Sequence, residues 1–153
     1  MPTYNFKEQF VPFVKDRSKR QTVRAYRKDG RLPELAQSVN LFSGMRTKHC
    51  KRIATEFVEA CATIYIYENG EMYIGSLVPE IEAEFLLRHK TMYLLSNYTV
   101  KEFNQKEKNE FAWRDGFRPE RSSIEFPGEA FALMLSFWKS THSLPFAGTV
   151  TYW

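Results

Sequence analysis

Short runs of β-branched and aromatic residues predict several strands, at TYNF, QTVRAY, SVNLF and GTVTYW. The clearest alternation lies in QTVRAY, where a period of two places Thr22, Arg24 and Tyr26 on one face. Val23 and Ala25 fall on the other face and are expected to anchor the strand in the core. The strand would therefore present Thr22 and Arg24 side by side on its opposite surface.

A hairpin and three helices complete the predicted elements. The run FVEACATIYIYENGEMYIGS predicts two strands joined at Asn69-Gly70, because both turn residues tolerate positive φ. Helices are predicted at residues 7–16, at residues 100–117 with Gly116 as the stop, and at residues 129–142. In the last helix, Phe131, Met134, Leu135 and Trp138 follow a helical spacing, and Leu133 and Phe137 extend the apolar surface.

These elements favour an α+β or mostly β fold. We expect five to seven short strands, flanked by about three helices, in a small curved β-barrel or a strongly bent sheet. Residues 80–100 are ambiguous, because IEAEFLLRHK fits a helix or a strand, whereas TMYLL favours a strand. The chain shows no internal repeat and no Pro/Gly/Ser-rich linker.

Composition places these elements in one globular domain. The 153 residues are 43% apolar and 16% aromatic, which supports a single core and excludes a disordered chain. Cys50 and Cys61 form no disulfide framework and indicate reduced thiols. No secretory leader or membrane-spanning run is visible, so a cytoplasmic location is expected, in the host cytoplasm if a phage encodes the protein.

The charge of the chain is segregated along its length. Residues 1–52 hold thirteen Lys or Arg against four Asp or Glu, although the whole chain carries a net charge of only +4. Eight of the basic residues fall in residues 15–31, and a second basic cluster lies in the predicted loop SGMRTKHCKR, residues 43–52. A positive face of this kind suits a polyanionic or phosphorylated partner, although a basic surface without a ligand is a common alternative.

The stretch RSKRQTVR, residues 17–24, resembles the motif of the ASCH domain family, a branch of the PUA-like superfold written G-x-K-x-x-E-x-R. Lys19 and Arg24 match, Arg17 stands at the glycine position, and Thr22 replaces the glutamate, as in the acetylcytidine amidohydrolases of the family. The stretches NLFSGMRTKHCKR, FAWRDGF and THSLPFAGTVTYW are similar to stand-alone, often phage-encoded members. The resemblance implies one PUA-like barrel domain over residues 1–153, with the poorest fit at residues 77–100.

The resemblance also implies a catalytic group made of Lys19, Thr22 and Asp115, where Asp115 replaces the glutamate of the amidohydrolases. A threonine hydroxyl needs a base to act as a nucleophile. Lys19 is a candidate base, because neighbouring arginines and partial burial would favour its neutral amine. Asp115 would orient Lys19 or donate a proton to a leaving amine. Without the family pattern, a solvated lysine, a strand threonine and a helix-end aspartate explain the same residues.

A second set of residues is expected to bind the ligand. Arginine forks recognise carbonyl or phosphate oxygens, a basic loop led by glycine suits phosphate, and exposed aromatic rings stack on unpaired bases. The set comprises Arg17, Arg24, Tyr26, Arg46, Thr47, Lys48 and Trp113.

No metal site and no cofactor are predicted. His49, His89 and His142 are too scattered for a metal site and suit surface or capping positions, and no Gly-rich phosphate loop is present. The expected partner is RNA or a nucleoside or nucleotide, with no membrane.

Three functions remain open from the sequence. An enzyme would hydrolyse an amide on a modified cytidine or cleave RNA. A reader would bind the same modified base without turnover. A phage-encoded interaction protein would use its basic face to bind and inhibit a host factor.

Overall fold

The computed structural model describes residues 2–76 and 100–153. These residues form an α+β fold with two sheets, which confirms that prediction. The stretch left open at residues 80–100 lies outside the described residues except for Val100. The elements are β1 (Thr3–Phe6), a 3-10 turn (Glu8–Phe10), α1 (Val11–Lys15), β2 (Gln21–Ala25), β3 (Ser38–Ser43), β4 (Lys51–Phe57), β5 (Ala60–Ile66), β6 (Met72–Ser76), β7 (Val100–Glu102), α2 (Gln105–Arg114), α3 (Ala130–Thr141) and β8 (Phe146–Tyr152).

The strands fall into a sheet of three and a sheet of five. The smaller sheet has the order β1-β3-β4, with β1 parallel to β3, and the larger has the order β2-β8-β5-β6-β7, with antiparallel pairs throughout. Within the described ranges the two sheets do not close into a barrel. The predicted hairpin at Asn69-Gly70 joins β5 to β6, and Gly70 adopts a φ of 86°.

Strand β2 lies at one edge of the larger sheet, with its register fixed by β8. Val23 pairs with Val150 and is buried as expected, and Thr22 is buried as well. The expectation that Ala25 anchors the core is wrong, because its side chain is exposed. Ala25 pairs with Gly148, which has no side chain to cover it, and a Cβ at Gly148 would lie 2.1 Å from the carbonyl oxygen of Arg24.

Two boundaries differ from the sequence prediction. Lys51 and Arg52, expected in a loop, begin β4, a strand in which no residue is fully buried and which therefore shows little apolar alternation. The helix expected from residue 100 starts only at Gln105, because the Asn104 side chain accepts a hydrogen bond from the Glu107 backbone N–H and caps the helix there. Strand β7 occupies the preceding residues and pairs with β6.

Helix α3 packs into the core through the residues that its periodicity indicated. Phe131, Met134 and Trp138 are buried. Leu133, expected to extend the buried surface, is instead 47% exposed, so the helix is buried on one side only. Phe137 is half-buried. No helix in the described ranges is both long and apolar enough to cross a membrane.

Candidate functional site

A cavity of about 300 Å³ opens beside β2 and gathers four of the predicted site residues. Thr22 and Arg24 reach it from β2, Lys19 from the turn before this strand, and Asp115 from the end of α2. Residues 19 and 115 are far apart in sequence, so the fold itself creates this cluster. The lining residues are Asn5, Phe6, Lys7, Phe10, Lys19, Thr22, Val23, Arg24, Ala25, Asp115, Phe117, Phe137, Trp138 and His142.

Lys19 and Asp115 form a buried ion pair in the wall of this cavity. The Lys19 Nζ donates to Asp115 Oδ1 at 2.7 Å and to the Asp115 carbonyl oxygen at 2.5 Å. The two side chains are only 3% and 8% exposed. One ammonium group therefore satisfies both a side-chain and a backbone acceptor of the same residue.

Burial changes the protonation balance of this pair. It lowers the pKa of Lys19 and raises the pKa of Asp115, and in each case the charged partner only partly offsets the effect. The cations that add to the shift of Lys19 are Arg24 and Arg118, not the sequence neighbours Arg17 and Arg20. Burial therefore weakens the preference of each group for its charged form and brings the two pKa values closer together.

Local backbone structure sets the position of Asp115. Asp115 closes α2, and its backbone N–H donates to the Phe111 carbonyl oxygen. Gly116 follows with a φ of 99°. A Cβ at this glycine would lie 2.7 Å from Phe10 Cδ1 and 3.3 Å from Lys19 Cδ. Glycine therefore allows both the left-handed turn and the close approach of Lys19.

Thr22 and Arg24 form the second polar pair of the cavity. The Arg24 Nε donates to Thr22 Oγ1 at 3.1 Å, and Arg24 Nη2 donates to the Asn5 carbonyl oxygen at 2.7 Å. The Arg24 guanidinium also lies over the rings of Tyr4 and Phe6, 5.4 Å from each ring centroid. Burial lowers the pKa of Arg24, although its guanidinium stays charged at physiological pH.

Two further predicted ligand residues lie away from the cavity lining. Arg17 is exposed and pairs with Glu56 at 2.7 Å. The Trp113 ring packs on Arg118, whose Cζ lies 3.9 Å from the ring centroid, and its Nε1 donates to Ser122 Oγ at 3.1 Å. A stacking role for Trp113 therefore lacks support from its position, because its face is already covered by a guanidinium group.

The remaining predicted ligand residues also lie outside the cavity lining. Tyr26 is half-buried just beyond β2. Arg46, Thr47 and Lys48 are exposed in the β3–β4 loop, where Thr47 Oγ1 donates to the Gly44 carbonyl oxygen at 2.7 Å. The loop is tied to the cavity rim, because the Met45 backbone N–H donates to Oδ1 of the lining residue Asn5 at 3.0 Å.

The sequence analysis missed one wall of the cavity, formed by Lys7 and α3. The Lys7 ammonium lies 4.6 Å from the Phe137 ring centroid. His142, expected at a capping position, is the C-cap of α3 but also lines the cavity and stacks on Trp138 with centroids 4.2 Å apart. The Trp138 Nε1 is buried with no hydrogen-bond partner in the described part of the chain. The helical spacing of these aromatic residues was the available signal, and it indicated core.

The lining carries groups that can bind a ligand, polarise a carbonyl group and transfer protons. It offers a threonine hydroxyl, an amine and carboxyl pair whose pKa values are shifted towards the neutral forms, an arginine and several aromatic rings. Among the described residues, no three His, Cys, Asp or Glu side chains gather where they could hold a metal ion, and Cys50 and Cys61 are both free thiols. No protein-family model, curated protein or solved structure matches this chain.

Proposed function

We propose that this chain is an ASCH-type protein of the PUA-like superfold that binds an acylated cytidine in the cavity and hydrolyses its amide bond. The proposal depends above all on the buried Lys19–Asp115 pair, which shares one cavity with Thr22 and Arg24. Perturbed ionisable groups beside a cleft are a common mark of catalytic sites. A cavity of about 300 Å³ also lies at the small end of the range for small-molecule sites.

The backbone at Arg17 supports the ASCH resemblance. Arg17 occupies the position where the family pattern has glycine, and its φ is 63°. This left-handed conformation favours glycine and is uncommon for a residue with a side chain. The chain thus keeps the turn geometry that a glycine would supply, although the residue itself differs.

In the proposed reaction, the Thr22 hydroxyl attacks the acyl carbonyl carbon while neutral Lys19 takes its proton. Arg24 binds the resulting oxyanion. Collapse of this intermediate breaks the C–N bond, and the Lys19 ammonium returns the proton to the leaving amine of the base. Water, deprotonated by Lys19, then attacks the threonine ester. The bond between the acyl carbon and Thr22 Oγ1 breaks, Lys19 returns the proton to Thr22 Oγ1, and the carboxylic acid leaves. Asp115 holds Lys19 in place and shares its proton.

The test is turnover of N4-acetylcytidine, followed by release of cytidine, in the wild type and two variants. Thr22→Val is nearly isosteric and is expected to abolish turnover while the fold is retained. Lys19→Ala is expected to lower kcat by about 10²–10⁴-fold, the usual contribution of a general base. Lys15→Ala, at an exposed lysine of α1 outside the cavity, is the control and should leave kcat unchanged.

The pH dependence of kcat tests the role of Lys19 as the base. Neutral Lys19 is the active form, so kcat should rise with pH. Because burial lowers the pKa of Lys19, kcat should reach its plateau below pH 10.5, the ordinary pKa of lysine.

A reader of the modified base is the second candidate, and one contact favours it. The Thr22 hydroxyl accepts a hydrogen bond from Arg24, and no hydrogen bond in the described part of the chain joins it to Lys19. This arrangement suits binding without activation of the hydroxyl. Binding of acetylcytidine that persists in Thr22→Val, with no turnover in the wild type, would favour the reader and contradict the hydrolase.

A further inference from the structure

The ionisable groups of the cavity differ in how their charges are compensated. Asp115 is the only acidic residue in the described lining, and Lys19 already engages it with two hydrogen bonds. Lys7 and Arg24 also line the cavity, but neither forms an ion pair within the described residues. The cavity therefore carries uncompensated positive charge.

Lys7 and His142 lie on the same side of the cavity. Lys7 covers Phe137, and His142 stacks on Trp138, the next residue of α3. Lys7 and Arg24 both act electrostatically on His142. Arg24 in turn donates to the Asn5 carbonyl oxygen, two residues before Lys7. Three basic groups from β1's end, β2 and α3 thus converge beside an aromatic wall.

The hydrogen bond at His142 Nδ1 determines whether the other ring nitrogen, Nε2, can donate. The Thr141 hydroxyl donates to the Phe137 carbonyl oxygen at 2.7 Å, so its oxygen accepts from His142 Nδ1, 2.8 Å away. The Nε2 of the ring is then a donor only when the imidazole is protonated. An anion beside Lys7 and His142 would favour that protonated form.

We propose that Lys7 and His142 bind a phosphate group of the substrate, so that the protein acts on a nucleotide rather than a neutral nucleoside. This inference rests on the proposed function for the base and names its substrate class. Phosphate would supply the negative charge that the cavity lining lacks. The adjacent rings of Phe137 and Trp138 would contact the apolar parts of the nucleotide, and Arg24 would remain at the acyl oxygen.

The first experiment titrates the full ¹⁵N-labelled chain with inorganic phosphate at constant ionic strength. Saturable shifts of the His142 ring and the Trp138 indole N–H are expected. The pKa of His142 should also rise, because burial and the cations Lys7 and Arg24 lower it in the free protein and a bound anion would oppose the effect of these cations. Lys7→Gln should weaken phosphate binding about tenfold. Lys15→Gln removes the same charge outside the cavity and should not. Absence of a saturable shift, or equal weakening in both variants, would overturn the proposal.

The second experiment compares cytidine, cytidine 5′-monophosphate and a cytidine trinucleotide as ligands. At least one phosphate-bearing ligand should bind about tenfold more tightly than cytidine, and Lys7→Gln should remove this preference. A preference for the monophosphate indicates a free nucleotide, and one for the trinucleotide indicates an RNA strand. Turnover of acetylcytidine without any phosphate preference would overturn this inference alone. Phosphate binding at Lys7 without binding of cytidine would overturn the proposed function alone.

Discussion

Three basic residues of the motif stretch each contact a carboxylate at nearly the same distance, but they do so in different regions of the molecule. Lys19 meets Asp115 at 2.7 Å in the interior, where the side chains are 3% and 8% exposed. Arg20 meets Glu59 at 2.8 Å on the surface, where they are 52% and 62% exposed. Arg17 and Glu56 fall between these cases, with 69% and 17% exposure.

The comparison shows that the distance between two charges says little about their energetic role. Surface pairs remain solvated and contribute about 0–1 kcal/mol. Burying a pair removes both ions from water, and loss of either partner then leaves an uncompensated charge. Burial lowers the pKa of Lys19 and raises that of Asp115, so the interior pair offers groups suited to proton transfer.

The largest expected effect is removal of the buried carboxylate. Asp115→Ala should lower the free energy of unfolding by about 3–5 kcal/mol, because Lys19 would stay buried without its partner. Glu59→Ala is the matched change on the surface and should cost less than about 1 kcal/mol. Urea unfolding of both variants measures the difference. Equal losses would show that burial does not separate the two regions.

Asp115→Asn supplies a milder form of the same change. It keeps an oxygen acceptor for Lys19 Nζ and leaves the backbone carbonyl bond intact, while it removes the negative charge. Its loss of stability should fall between those of Asp115→Ala and Glu59→Ala. If Asp115→Asn lost as much stability as Asp115→Ala, the destabilisation would come from removal of the negative charge and not from loss of the hydrogen bonds.

A smaller effect, and one that depends on pH, is expected for Lys19→Met. Burial raises the pKa of Asp115 and the Lys19 ammonium lowers it, so removal of Lys19 leaves a carboxyl group that binds its proton more tightly when folded. The free energy of unfolding of the variant should therefore rise as pH falls from this raised pKa towards 3.8, the ordinary pKa of an aspartate, and should fall again as pH rises. The limiting slope is about 1.4 kcal/mol per pH unit. Urea midpoints across pH for Lys19→Met and Lys15→Met measure it, and parallel curves would contradict the lowering of the Asp115 pKa by Lys19.

Sequence reasoning predicted one side of the cavity and not the other. The alternation of the β2 stretch placed Thr22 and Arg24 on one face, and the resemblance implied Lys19 and Asp115. The fold brings these four residues together at the cavity. Sequence reasoning could not tell which cations of the basic run enter the interior, since Lys19 and Arg20 are adjacent and have opposite environments.

The missed wall has a different physical cause. Phe137 and Trp138 follow the same helical spacing as core residues, and a pocket wall and a core face present the same pattern until the opposing element is known. Lys7 belongs to this wall because the chain after β1 brings its ammonium group against the Phe137 ring of α3. Strand β4 was missed because its side chains are exposed or half-buried, so tertiary pairing with β3 rather than apolar alternation defines it.

The smallest expected effect concerns Arg17, where a surface pair coexists with a left-handed backbone. Arg17→Ala and Arg17→Gly both remove the contact with Glu56, but only glycine relieves the φ of 63°. The glycine variant should therefore be more stable than the alanine variant by about 1 kcal/mol. At Arg20, which is not among the residues with positive φ, the order should reverse because glycine adds entropy to the unfolded chain. Thermal unfolding of the four variants tests this, and a more stable alanine variant at both positions would mean that the turn at Arg17 carries no preference for glycine. A reversal between two arginines three residues apart would instead show that the backbone, and not the ion pair, gives position 17 a preference for glycine.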